Sequence, residues 1–123
     1  MSRILLSINP EHVEKIIDGS KEYEYRKIRC KREVDGILIY ETFPVCRIVA
    51  EAEIEKIIED TPKSIWNKTK AKSGISSEFF FSYYRDREKA IAYKLTNLKK
   101  YSTPKKLEEI GVKSAPQSFV YVD

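Results

Sequence analysis

Histidine is nearly absent from this 123-residue chain, with His12 the single one. Cysteine occurs twice, at Cys30 and Cys46, far apart and with no C-x-x-C spacing. That set cannot assemble an ordinary zinc site, which takes several Cys or His ligands at one point. No metal and no cofactor is expected. A Cys–His dyad would need His12 against one of the two thiols, and His12 reads as a helix-surface residue. Two cysteines are no disulfide framework, and the N-terminus lacks the pattern of a signal peptide. A reducing, cytoplasmic setting is therefore expected. Apolar runs are no longer than that of Ile37–Tyr40, far short of a membrane span. Internal repeats and low-complexity tracts are missing too.

Charge is what the chain has in excess. Charged residues make up 34% and the net charge is +4. A basic, densely ionic surface favours polyanionic partners. Apolar residues make up 41%, ordinary globular usage, and the length suits one domain over residues 1–123.

Along the chain, Arg3–Ile8 reads as a short buried strand. Asn9-Pro10 starts a helix over about Glu11 to Ile17, and Asp18-Gly19 ends it, glycine being suited to a left-handed cap. Lys21 to about Arg29 alternates as a strand. A charged turn ending in Asp35-Gly36 leads to the apolar strand Ile37–Thr42, which Phe43-Pro44 breaks. The next strand runs from Val45 to about Ile54, and its tail, Glu53–Asp60, also fits a helix. Thr61-Pro62 caps a helix around Lys63–Thr69, and Ser76 caps another over Ser77–Tyr84. Ala90–Lys99 alternates as a strand. Thr103-Pro104 opens a short helix ending at Gly111, and Phe119–Val122 closes with a strand. Five or six strands with short helices at the corners predict an α+β fold built on a small β-barrel.

The stretch Asp18–Lys27, DGSKEYEYRK, carries the densest chemistry. Residues of one parity share a strand face, so Tyr23 and Tyr25 turn to the core, and Glu22, Glu24 and Arg26 turn away. Lys21 has core parity but sits at the turn, where its long stem can bend to the rim. The charged face has two readings. One is a solvated strand with a weak Glu–Arg pair. The other is a pocket wall holding cation, carboxylate and cation together. Directly downstream, Arg26, Lys27, Arg29, Lys31 and Arg32 place five basic residues in seven, a patch suited to phosphates, although Glu33 and Asp35 dilute it. Phe79, Phe80, Tyr83 and Tyr84 fall at helical spacing and read as core, while Trp66, on a short helix beside loops, is expected to reach a cleft.

Gly19-Ser20-Lys21-Glu22-Tyr23-Glu24-Tyr25-Arg26 matches G-x-K-x-x-E-x-R, the pattern of ASCH domains in the PUA-like superfamily. The opening Leu5–Pro10, the Ile39–Val45 strand and proline corner, Ser73–Ser76 and the closing Pro116–Tyr121 also resemble that family, so the likeness covers nearly the whole chain. It implies a PUA-like β-barrel with a cleft between barrel and inserted helices. RNA or a nucleotide-like small molecule would bind there, and the chain would be a binding module acting as a regulator of transcription or translation. Lys21, Glu24 and Arg26 would line the cleft, with Tyr40, Thr42, Trp66 and Gln117 as neighbours. Lys27, Arg29, Lys31 and Arg32 would form the nucleic-acid patch. The alternative is a hydrolase, acetylcytidine amidohydrolase-like or a ribonuclease, using Lys21 and Glu24. The amidohydrolase branch resembles this pattern but has a threonine where this chain has Glu24, and a carboxylate does not replace a hydroxyl nucleophile. Glu78 is the candidate for that branch's downstream glutamate.

Overall fold

The computed structural model describes residues 2–122. Six strands form one mixed sheet in the order β2-β5-β4-β3-β1-β6. They are β1 (Arg3–Ile8), β2 (Tyr23–Arg26), β3 (Gly36–Glu41), β4 (Arg47–Asp60), β5 (Ala90–Lys105) and β6 (Phe119–Val122). β1 runs parallel to β3 and every other pairing is antiparallel. Three short helices, α1 (Pro10–Asp18), α2 (Pro62–Thr69) and α3 (Ser77–Tyr83), sit at the corners. The expected α+β architecture, a small curled sheet decorated by helices, is what forms.

β2 and β6 are the two edges of that sheet, and curling brings them together. The Arg26 guanidinium on β2 donates to the Ser7 carbonyl at the end of β1 (2.9 Å) and to the Ser118 carbonyl just before β6 (3.3 Å). The Tyr121 hydroxyl of β6 accepts the backbone N–H groups of Lys31 and Arg32, beyond β2. These bonds close a half-barrel across its open seam, where an unpaired edge would otherwise face water.

Local chemistry explains most element ends. Pro10 occupies the first position of α1, where its missing N–H costs nothing. Gly19 caps the other end with φ +90, a conformation that side chains resist. The Thr61 and Ser76 hydroxyls accept the Ser64 and Phe79 amides and cap α2 and α3.

Three boundaries differ from the expectation. β2 is only four residues long, and the basic stretch after Arg26 is loop. The tail Glu53–Asp60 is strand, not helix. A register shift between Ile54 and Lys56 puts Ile54 and Ile57 against the same core, so an odd spacing that mimics a helix is produced by a bulge. Thr103-Pro104 opens no helix: both belong to β5, which continues to Lys105. Pro104 is tolerated because the β4–β5 register is broken between Ala50 and Ile48, opposite this segment. A single 3-10 turn, Leu107–Ile110, follows and ends at Gly111 as expected. Among the described residues, no helix is long and apolar enough to cross a membrane.

Candidate functional site

The alternation in β2 sorts its side chains as the pattern predicts. Tyr23 and Tyr25 pack with Ile65, Phe80 and Tyr84 under α2 and α3. Glu24 and Arg26 take the opposite face. They pair across to Tyr93 and Ile91 of β5, which belong to the barrel's interior core. The charged face is therefore not solvated. Glu24 keeps 7% of its surface exposed, and an ion pair buried that far must be well partnered to persist. Arg26 supplies the partner: its Nε donates to Glu24 Oε2 at 3.1 Å, and its Nη2 forms an ion pair with the same oxygen at 3.0 Å.

Lys21 is the larger surprise. It does not snorkel to a rim but is 3% exposed. The 3-10 turn and loop at 70–75 fold across it: the Glu22 N–H donates to the Lys72 carbonyl, and Lys21 Nζ donates to the Ser73 carbonyl at 2.8 Å. Gly74 makes this packing possible. Its φ is +68, and a Cβ there would lie 2.6 Å from the Lys21 Cβ. Nζ also stands 4.7 Å above the Tyr25 ring. Burial, opposed in part by the Glu24 carboxylate, pulls the Lys21 ammonium down to about 8.

These groups line a cavity of about 260 Å³ between the ends of β1 and β2, the start of α1, and α3. Ser7, Asn9 and His12 form one wall, Lys21, Glu24 and Arg26 the floor, and Phe79 and Tyr83 the side toward α3. The mix of apolar wall and a few convergent polar groups is that of a small-ligand site. Bonding within the protein decides which groups are available. Arg26 uses three of its five donors within the protein, to Glu24, Ser7 and Ser118. Glu24 Oε1 takes no hydrogen bond among the described residues, and Lys21 uses one of its three donors. Acceptor and cation are thus left facing the cavity, Glu24 held by Arg26 and Lys21 by the Ser73 carbonyl.

His12 belongs to this site, and no motif pointed to it. Its Nδ1 is buried without a partner, and its ring meets Phe79 edge-on with centroids 5.4 Å apart. Burial, and then Lys21, lowers its affinity for a proton, so the neutral imidazole is favoured. The available signal was spacing: His12 is four residues before the buried Ile16, on the border of the helix's core face.

The remaining predicted neighbours fall elsewhere. Tyr40 packs with Leu5, Leu38 and Ile48 on the opposite side of the sheet, because its parity in β3 matches Leu38 and not the interior Ile39. Trp66 does not reach the cavity; its indole lies against Phe80 and Phe81 at 5.0 and 6.2 Å, since α2 presents it to α3. Thr42 stands one shell back, its hydroxyl donating to Asn9 Oδ1 at 3.2 Å. Gln117 is exposed, between Pro116 and Ser118, whose carbonyls accept from Ser7 and Arg26. Glu78 is exposed on the first turn of α3 and does not line the cavity.

The basic stretch splits. Lys27 Nζ sits 4.7 Å over the Tyr83 ring, at the cavity's edge. Arg29 pairs with Glu59 at 3.4 Å, and the Arg32 guanidinium lies 4.2 Å over the Tyr121 ring. Lys31 is exposed. No group of three or more His, Cys, Asp or Glu side chains converges as a metal site among the described residues.

Comparison with known proteins bears on this geometry. The family described as Domain of unknown function (DUF365) matches residues 4–115. The chain belongs to that family. It also has the ASCH fold that the G-x-K-x-x-E-x-R stretch implied. A crystal structure of ASCH from Zymomonas mobilis aligns with TM-score 0.89 at 25% identity, covering 98% of this chain and 87% of that one. An ASCH domain-containing ribonuclease of Zymomonas mobilis is 28% identical over 92 residues, 74% of this chain and 62% of that protein. Two longer proteins of Ureaplasma parvum also match over 97% of this chain. One is an ATP synthase subunit alpha at 30% identity and the other a large ribosomal subunit protein uL22 at 29%. The chain spans only 15% and 39% of their lengths.

Proposed function

We propose that this DUF365 member is an RNA- or nucleotide-binding ASCH module whose ligand enters the cavity floored by Lys21, Glu24 and Arg26. The observation that carries the reading is the unequal engagement of those three groups. Arg26 is held by protein acceptors, whereas Glu24 Oε1 and two Lys21 donors have none of their own. A carboxylate oxygen accepts from an exocyclic amine of a base, and an ammonium donates to a phosphate or sugar oxygen. At about 260 Å³ the cavity is at the small end for ligand sites, which suits one nucleoside and not a longer segment. Phe79 and Tyr83 supply aromatic faces on which a base stacks. Arg26 then acts by positioning Glu24. Titration calorimetry with nucleosides, mononucleotides and single-stranded RNA tests this. Glu24→Gln and Lys21→Met are expected to abolish binding while the protein stays folded. Undiminished binding by both variants would remove the cavity from the account.

A ribonuclease is the second reading, favoured by a specific pairing in the same cavity. Lys21 is a proton donor poised near neutrality, and His12 is a neutral imidazole. Catalytic sites bring groups with such displaced titration together. The similarity to the ASCH domain-containing ribonuclease agrees with it. In this reading the ribose 2′-oxygen attacks the adjacent phosphorus while His12 takes its proton. The Lys21 ammonium gives its proton to the 5′-oxygen, which leaves as the hydroxyl of the downstream fragment, and a 2′,3′-cyclic phosphate forms. Its mark is cleavage of single-stranded RNA that His12→Ala and Lys21→Met both eliminate. RNA left intact by the wild-type protein rules it out.

A further inference from the structure

A second basic surface lies away from the stretch that the sequence marked. The end of β5, the turn after it and the start of β4 enclose an open groove of about 730 Å³. Arg47, Lys106 and Lys113 line it above an apolar floor that includes Leu107 and Val112, and Glu108 is the one acid among its lining residues. Lys105 stands beside it, exposed, over the Tyr101 ring. None of these four cations makes an ion pair with a described residue, in contrast to Arg29 in the other patch. Uncompensated cations along an open groove are the electrostatic footprint of a polyanion.

Strand register places this groove on the same end of the sheet as the cavity. Ile8, which lines the cavity, pairs with Glu41, and Glu41 pairs with Arg47. Arg47 is therefore two strand spacings from Ile8, roughly 10 Å. The turn between β3 and β4 stands between them. It is tied to the cavity wall by the Thr42–Asn9 hydrogen bond and tightened by the Val45 N–H on the Thr42 carbonyl. At its tip Phe43 is 82% exposed, the most exposed large hydrophobic side chain among the described residues. Little of its surface is packed against the rest of the fold. The groove's floor packs with Tyr40 on the sheet face opposite the cavity, and the turn that carries the exposed Phe43 ring forms the rim between the two. Alternation of stacking surface and positive charge is how single strands are held without reading their sequence.

We propose that Phe43 and the groove of Arg47, Lys105, Lys106 and Lys113 bind the single-stranded RNA that continues from the nucleotide in the cavity. The assignment of RNA as the polymer rests on the function proposed above. Phe43 stacks a base, and the four cations contact successive phosphates.

The test compares a mononucleotide, short enough for the cavity, with an octanucleotide of single-stranded RNA, by fluorescence anisotropy over a salt series. Two variants are used, Phe43→Ala and the triple Lys105→Glu, Lys106→Glu, Lys113→Glu, with circular dichroism melting to confirm folding. Both alter exposed side chains only. Phe43→Ala is expected to weaken the octanucleotide roughly five- to 150-fold. The triple variant is expected to flatten the slope of log affinity against log salt by about 2, at roughly 0.7 per phosphate contact. Mononucleotide affinity is expected to stay unchanged. Octanucleotide binding that ignores both variants overturns the proposal, as does polyglutamate binding as tightly as RNA. If the octanucleotide shows the dependence but the mononucleotide does not bind, the groove stands and the cavity reading falls. If the mononucleotide binds and the octanucleotide binds no tighter, the groove falls and the cavity stands.

Discussion

Replacing Lys21 by Met isolates the cost of holding an ammonium inside this fold. In the unfolded chain the lysine titrates near 10.5, and in the folded protein burial brings it to about 8. Below both values it is charged in both states, and the folded state bears the burial cost. Between them the unfolded chain binds the proton and the folded protein does not, so stability rises with pH across that window. The sign is that of a depressed folded value: the gain is complete above 10.5 and lost as pH falls through 8. From pH 7 to pH 10 the rise contributed by Lys21 is about 2.5 kcal/mol. Met has a similar stem and no charge, so it removes this rise and also the pH-independent bond to the Ser73 carbonyl. Urea unfolding of both proteins at pH 7, 8.5 and 10 reads it, since other titrating groups are common to the two and cancel. Relative to the variant, the wild type should gain about 2 kcal/mol or more between the extremes. A difference that does not vary with pH would show that Lys21 is solvated, and the cavity floor described above would be wrong.

Other expectations follow from the same contacts. Arg26→Ala removes the bridge between the sheet's edges and leaves Glu24 buried without its cation. Urea unfolding should show a loss of about 3–5 kcal/mol, and a loss below 1 would mean that the seam does not need it. Gly74→Ala puts a methyl group against Lys21 at a backbone angle suited to glycine. A destabilisation of about 1–3 kcal/mol is expected, with weakened ligand binding, and neutral behaviour in both would contradict the packing. Tyr84→Phe deletes a hydroxyl that donates to the Arg26 carbonyl at 2.8 Å. Its thermal unfolding should report a loss of about 1 kcal/mol.

How much of this was legible in the sequence depends on the range of the interaction. Alternation in β2 is a local property, and it sorted Tyr23 and Tyr25 from Glu24 and Arg26 correctly. Caps and proline positions are local too, and Gly19, Thr61 and Ser76 end or start helices where expected. The burial of Lys21 is not local, because a loop 52 residues away covers it. The work of Arg26 is not local either, since its acceptors are 19 and 92 residues distant. Tyr40 was misplaced by one unit of parity that only the pairing of β3 with β1 decides. Phe43 and the lysines around β5 carried no motif. Their meaning comes from register, which brings the start of β4 beside the end of β5.

The central claim is that the cavity between β2, α1 and α3 is where a nucleotide or RNA binds. The most direct measurement is a two-dimensional amide NMR titration with mononucleotides and a short single-stranded RNA. The account predicts saturable shifts in three sequence-distant segments together: Ser7–His12, Lys21–Arg26 and Ile75–Tyr83. Saturating shifts confined to the Lys27–Arg32 loop, with those three segments silent, would contradict it.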